Sequence, residues 1–124
     1  MLTALQEMPK GDINMKPKKP VIKVLVTIAA KCFLKEVLAG IEEEGVLYEV
    51  ETIEHGLSKE LATTAACESL LETGVGIDEE VISITICKLP SNNPLQSYSC
   101  LNNDNLRLAG CNAARIIKGI PLKY

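Results

Sequence analysis

Apolar and polar positions along this chain switch between two periods. "VIKVLVTI" (Val21 to Ile28) is β-branched and almost wholly apolar, which predicts a buried strand of the kind found in parallel sheets. Leu34, Val37, Leu38 and Ile41 then recur at i, i+3, i+4 and i+7, the buried stripe of a helix through "FLKEVLAGIEEEG". "LYEVETI" alternates and predicts a second strand. "SKELATTAACESLLETG" predicts a second helix, with Ser58 as its N-cap and Leu61, Ala65, Leu70 and Leu71 turned partly inward. "GVGID" and "VISITIC" supply one or two further strands, and "KLPSNNPLQS" reads as a loop marked by Pro90 and Pro94. "NNDNLRLAGCNAARIIKG" closes the fold as a helix, with Asn102 to Asp104 available as caps and Gly119–Pro121 as a stop.

Strand–helix–strand–helix–strand predicts a single α/β domain on a mostly parallel sheet, in three layers like a flavodoxin. The domain is expected over residues 21–124. Residues 1–20 hold two breaker-rich stretches and the basic cluster Lys16, Lys18 and Lys19, and predict a flexible N-terminal tail. Leu2, Leu5 and Met8 could line one side of a very short docking helix there, or belong to a plain extension.

The helix carrying Glu42, Glu43 and Glu44 poses a question. A helix C-terminus is the negative end of the macrodipole, an unfavourable place for carboxylates. With the apolar stripe centred at 0°, Glu43 lies at about 180°, Glu36 at roughly 200°, Ala39 at about 140° and Gly40 at about 240°. The outward face therefore reads Glu36, Ala39, Gly40, Glu43. Two small residues between two acids suggest close approach by another chain, with a carboxylate left to meet a cation. Gly40 easing packing within its own domain is the alternative, and acid runs are commonly just solvated surface.

Composition narrows the field. The 124 residues suit one domain, and a net charge of −3 with no Trp, one Phe and three Tyr offers neither a polyanion-binding field nor a base-stacking platform. No apolar run is long enough to span a bilayer. The five cysteines are widely spaced, without a C-x-x-C pair, and are expected to be free thiols in a reducing cytoplasm. The single histidine, His55, makes no zinc set with them. "TGVGID" contains only a partial glycine fingerprint, and Gly74 reads more simply as a helix C-cap. Asp78, Glu79 and Glu80 form a second acidic cluster, read as turn and surface residues, with a metal role as the alternative. No catalytic motif emerges, so no catalytic residue is assigned.

Two stretches carry a resemblance. "KEVLAGIEEEGVLYEV" and "GCNAARIIKGIPL", with "GVGID" and "KLPSNNPL" in order between them, resemble the small subunit of diol or glycerol dehydratase reactivase, over about Val21 to Leu122. That family is similar in fold to the medium (β) subunit of the cobalamin-dependent dehydratases. The resemblance implies a non-catalytic subunit of a chaperone-like factor that releases damaged cobalamin from an inactivated dehydratase. The implied partner is a large subunit, an actin/Hsp70-like ATPase, with transient exchange onto the dehydratase large subunit in place of its β subunit. It further implies that Glu43, the middle acid of the run, ligates a divalent cation, Mg²⁺ or Ca²⁺, shared with the large subunit, and that this chain alone binds no cofactor. A cytoplasmic location, within a bacterial microcompartment or outside one, goes with it. Cys111 stands where asparagine is expected, and Leu122 where Phe is common. Arg115 and Lys118 have no role carried over and are structural or interface candidates.

Two other readings remain: a medium-subunit-like component of the dehydratase itself, and a stand-alone flavodoxin-like domain with a ligand crevice at the carboxyl ends of its strands. A homodimer through the vacant docking face is a further expectation for the isolated chain.

Overall fold

The structure, a computed structural model, describes residues 20–123. The expected N-terminal tail lies outside these residues except for Pro20. The elements run in the order β1 (Ile22–Thr27), a 3-10 helix (Ile28–Phe33), α1 (Leu34–Glu43), β2 (Tyr48–Ile53), α2 (Ser58–Glu68), β3 (Thr73–Ile77), β4 (Val81–Ile86), β5 (Gln96–Ser99) and α3 (Asn103–Lys118). The strands form one sheet, ordered β2-β1-β3-β4-β5. β1 pairs in parallel with β2 and β3, while β4 is antiparallel to both β3 and β5. Four strands thus point one way and β4 opposes them. The expected mostly parallel sheet is a mixed one, because only Asp78, Glu79 and Glu80 separate β3 from β4. So short a connection makes a hairpin, whereas a parallel return needs a crossover of about a dozen residues. β5 itself has no counterpart in the expected elements.

The layers follow from alternation along the strands. On one face, Val50, Val24, Val75 and Ile84 stand in register across four strands. With Ile22, Val26, Ile77 and Ile82 they meet Val37 and Ile41 of α1 and Leu106, Ala109 and Ala113 of α3 in the main core. On the other face a smaller cluster joins Leu25 to Leu61 and Ala65 of α2, with Ile53 at its margin. The domain is three-layered, with α1 and α3 on one side and α2 on the other.

The thin layer explains the glycines of β3. Gly74 and Gly76 both face α2, so close that a Cβ on Gly74 would lie 2.5 Å from the Ala62 carbonyl oxygen and one on Gly76 2.5 Å from the Ala62 nitrogen. Gly74 is therefore a strand residue under a helix, a correction to its expected role as a cap. The helix expected through residue 74 stops at Glu68. Ser69 turns extended (φ −100°, ψ 139°), donates its hydroxyl to the Val21 carbonyl and accepts from the Leu71 N–H. Leu70, expected to turn inward, is consequently exposed.

Ser58 is the first helical residue and not the cap, a second correction. Its N–H donates to Asp78 Oδ2 at 2.8 Å, so the cap comes from the β3–β4 turn. The other oxygen, Asp78 Oδ1, accepts from the Glu80 and Val81 N–H groups, each at 2.8 Å. Asp78 is thus spent on backbone donors. Cys67, in the last turn of α2, is disulfide-bonded to Cys87, just past β4, with 4.8 Å between their Cα atoms. The expectation of five free thiols is corrected to three: Cys32, exposed, and Cys100 and Cys111, buried. Burial pushes the Cys100 thiol up to about 12, which keeps it protonated and unreactive.

α3 begins and ends as its sequence predicts. Asn102 accepts from the Asp104 N–H at 2.8 Å, and Gly119 closes the helix in the left-handed region (φ 69°). Asn112, fully buried in α3, pins the chain end. Its Oδ1 accepts from the Lys123 N–H at 2.7 Å, and its Nδ2 donates to the Lys123 carbonyl at 3.1 Å and to the Tyr98 hydroxyl at 2.9 Å.

Candidate functional site: the face made by two helices

α1 and α3 touch backbone to backbone through a pair of glycines. A Cβ on Gly40 would lie 2.8 Å from the Cys111 nitrogen and would overlap the Arg107 carbonyl oxygen. A Cβ on Gly110 would overlap the Val37 carbonyl oxygen. Gly40 is buried against α3. The outward face is thereby corrected: Glu36, Ala39 and Glu43 remain accessible, while Gly40 serves the packing of the chain against itself. The periodicity of α1 does not reveal this, because α3 covers the flank of α1 as well as its apolar stripe.

Close packing of the helices brings acids of α1 against cations of α3. Glu36 Oε1 accepts from Arg107 Nε at 3.2 Å and lies 3.0 Å from its second terminal nitrogen. The first terminal nitrogen of Arg107 donates to Glu43 Oε2 at 2.5 Å. Glu43 Oε1 accepts from the Cys111 thiol at 3.4 Å. Glu44 meets Arg115 at 3.0 Å and Lys118 at 2.9 Å, and Lys118 also donates to the Glu44 backbone carbonyl at 2.8 Å. Glu42 accepts from the Tyr48 hydroxyl at 2.7 Å. Each of the three consecutive acids has a partner within the chain. The adverse helix dipole is thus offset by cations from α3 placed at the C-terminus of α1, where the dipole favours them.

This pairing gives Arg107, Arg115 and Lys118 a role that the sequence did not assign. A signal was present: Glu36 of α1 and Glu44, its C-cap, lie eight residues apart, as do Arg107 and Arg115 on α3. Matched spacing of opposite charge suits two helices lying side by side.

The electrostatics follow the contacts. Arg107, and then the Cys111 thiol, hold the Glu43 carboxyl below the usual carboxylate range. Lys118, and then Arg115, do the same for Glu44. Burial, helped by the Glu43 carboxylate, pushes the Cys111 thiol up. Because the Glu44 value is depressed, its stabilising contribution is complete above the ordinary carboxylate value of 4.5 and is lost as pH falls through the depressed one. Acidification from about pH 6 to about pH 3 should therefore cost the wild type more thermal stability than Glu44→Gln. Equal pH slopes for the two would refute this account.

Among the described residues, no three His, Cys, Asp or Glu side chains converge as a metal site, and no helix is long and apolar enough to cross a membrane. At this face the chain offers the Glu43 carboxylate, with that of Glu36 two turns away. That set fits a cation shared with a second chain and does not fit one held by this chain alone. A shallow depression of about 310 Å³ lies elsewhere, lined by Gly56, Leu57, Asp78, Glu79 and Glu80. Its acidic lining disfavours phosphate, and Asp78 in that lining already caps α2.

The model of the dehydratase medium subunit family matches residues 19–123. The propanediol dehydratase-reactivating factor small subunit of Citrobacter freundii is 32% identical over 105 residues, 84% of this chain and 90% of that protein. The chain belongs to the dehydratase medium subunit family, among the small subunits of dehydratase-reactivating factors. The diol dehydratase-reactivating factor small subunit of Klebsiella michiganensis is 31% identical over 114 residues, 90% of each chain. Among solved structures, a diol dehydratase-reactivating factor complexed with ADP and Mg²⁺ superposes with a TM-score of 0.80 at 32% identity, covering 85% of this chain and 98% of that one. A glycerol dehydratase reactivase superposes with a TM-score of 0.79 at 28% identity, covering 85% and 97%. The family fold is therefore this mixed five-stranded, three-helix domain.

Proposed function

We propose that this chain is the non-catalytic small subunit of a chaperone-like factor that releases damaged cobalamin from inactivated diol or glycerol dehydratase. It works by binding an ATPase large subunit and by exchanging with the dehydratase β subunit. The observation that carries this reading is likeness over nearly the whole length of a reactivating-factor chain, at 32% identity and a TM-score of 0.80. A component of the dehydratase itself is the second reading, favoured by the description of the family model. The coverage of 97–98% of the reactivase chains supports the first, since the domain has the extent of those subunits.

In this reading the docking face is the accessible side of α1, with Glu36, Ala39 and Glu43, and Glu43 is the ligand of a divalent ion completed by the large subunit. A bound ion would neutralise developing negative charge between two chains and hold them in register. The Mg²⁺ in the related factor is consistent with such an ion.

The test mixes the purified chain with the purified large subunit of the Klebsiella michiganensis factor, in MgCl₂ and in EDTA. Association in MgCl₂ that is lost on chelation is expected. Glu43→Ala should weaken association roughly thirtyfold or more, the scale for truncating one member of a buried interfacial charge pair. Its thermal unfolding should stay near that of the wild type, because Glu43 is exposed in the free chain. No association in MgCl₂ would overturn the proposal, and a complex with the dehydratase large subunit alone would favour the second reading.

A further inference from the structure

Resting on that reading, we propose that Arg107 is a latch on the docking face: it occupies Glu43 in the free chain and moves wholly onto Glu36 when a divalent ion arrives. The geometry has three parts. First, Glu43 is not idle, for Oε2 is taken by one terminal nitrogen of Arg107 at 2.5 Å and Oε1 by the Cys111 thiol at 3.4 Å. An incoming cation must therefore compete for this carboxylate. Second, the same guanidinium already holds Glu36 through its two other nitrogens, at 3.2 and 3.0 Å. A planar guanidinium presents five donors, so letting go of Glu43 leaves Arg107 charge-paired and no cation stranded. Third, all three side chains are open to water, with 36% of Glu36, 42% of Arg107 and 44% of Glu43 exposed. Exchange then needs only side-chain rotation, with no opening of the core.

The latch makes this chain's affinity for the ion depend on a residue that need not touch it. Arg107 lowers the negative potential at Glu43 until the ion and the partner's own ligands outbid it. Glu36 sets how readily Arg107 leaves. The two residues therefore act on the same equilibrium with opposite sign, which distinguishes a latch from a purely structural ion pair.

The test is the association assay above, titrated with MgCl₂ at fixed protein. The readout is the Mg²⁺ concentration for half-maximal association, measured separately from the affinity at saturating Mg²⁺. Arg107→Gln should lower that concentration roughly two- to fivefold, the range for removing one solvent-exposed ion pair. Glu36→Gln should raise it by a similar factor, because Arg107 then has only Glu43 to hold. Thermal unfolding of both variants checks that they fold, and if Arg107→Gln does not, Glu36→Gln alone decides by the sign of its shift. Shifts in the same direction, or no shift, overturn the latch while leaving the reactivating-factor reading in place. Failure of the wild type to associate at any Mg²⁺ concentration overturns both.

Discussion

Gly110→Ala is expected to destabilise the fold by about 1–3 kcal/mol, the range for overpacking a close-packed interior. A glycine inside an exposed helix costs roughly 0.5–1 kcal/mol relative to alanine, so propensity alone predicts the opposite sign. The contact reverses it. A Cβ at 110 would overlap the Val37 carbonyl oxygen, which is backbone and cannot rotate away. Relief requires moving α1 off α3, which would loosen Val37, Ile41, Leu106, Ala109 and Ala113 together. Gly40→Ala meets α3 in the reciprocal way and should behave alike, and because the two glycines share one contact their costs should not add. Urea unfolding followed by circular dichroism measures this as a lower midpoint with an unchanged slope. A higher midpoint for either variant would mean that the helices are not in backbone contact.

Reduction of the Cys67–Cys87 bond should cost about 3 kcal/mol, as expected from chain entropy for a bridge of this span. The two residues are 20 apart in sequence. The bond ties the last turn of α2 to the end of β4, and α2 is the less well anchored layer. It rests on glycines and alanines and shares in only the small cluster of Leu25, Leu61 and Ala65. A midpoint lower by on the order of 10 °C in dithiothreitol is the expected thermal result. Non-reducing peptide mapping should recover Cys67 joined to Cys87, with Cys32, Cys100 and Cys111 alkylated after unfolding. The same midpoint with and without reductant would show that the bond does not contribute.

What the sequence made legible is what depends on near neighbours. The stripe of Leu34, Val37, Leu38 and Ile41 specifies α1 because its period is internal to the segment. Asn102 and Gly119 bound α3 because capping is local chemistry. The misses have tertiary causes. Gly40 faces a helix more than sixty residues further along the chain, and the cap on α2 is delivered by Asp78 from another element. Ser69 ends α2 through a bond to Val21, which no window around residue 69 contains. β5, "QSYS", is short and polar, and pairing with β4 makes it a strand. At the candidate site, Glu36 and Glu43 were visible as an outward pair on one helix. Their partner Arg107 was signalled only by the matched eight-residue spacing of Glu36 and Glu44 with Arg107 and Arg115, which does not say which side of α3 will lie beside α1.

The anchoring of Lys123 by Asn112 bears on how this chain should be labelled. Lys123 lies near enough to Glu43 to favour its charged form, so the end of the described chain comes to rest beside the candidate docking face. A fluorophore or affinity handle fused there would cast its bulk over the surface whose occupancy it is meant to report. Thr64, exposed on α2 on the opposite side of the sheet, offers a vantage point clear of that surface, and a dye attached through Thr64→Cys, with the exposed Cys32 thiol removed by Cys32→Ser, would leave both helices of the face bare.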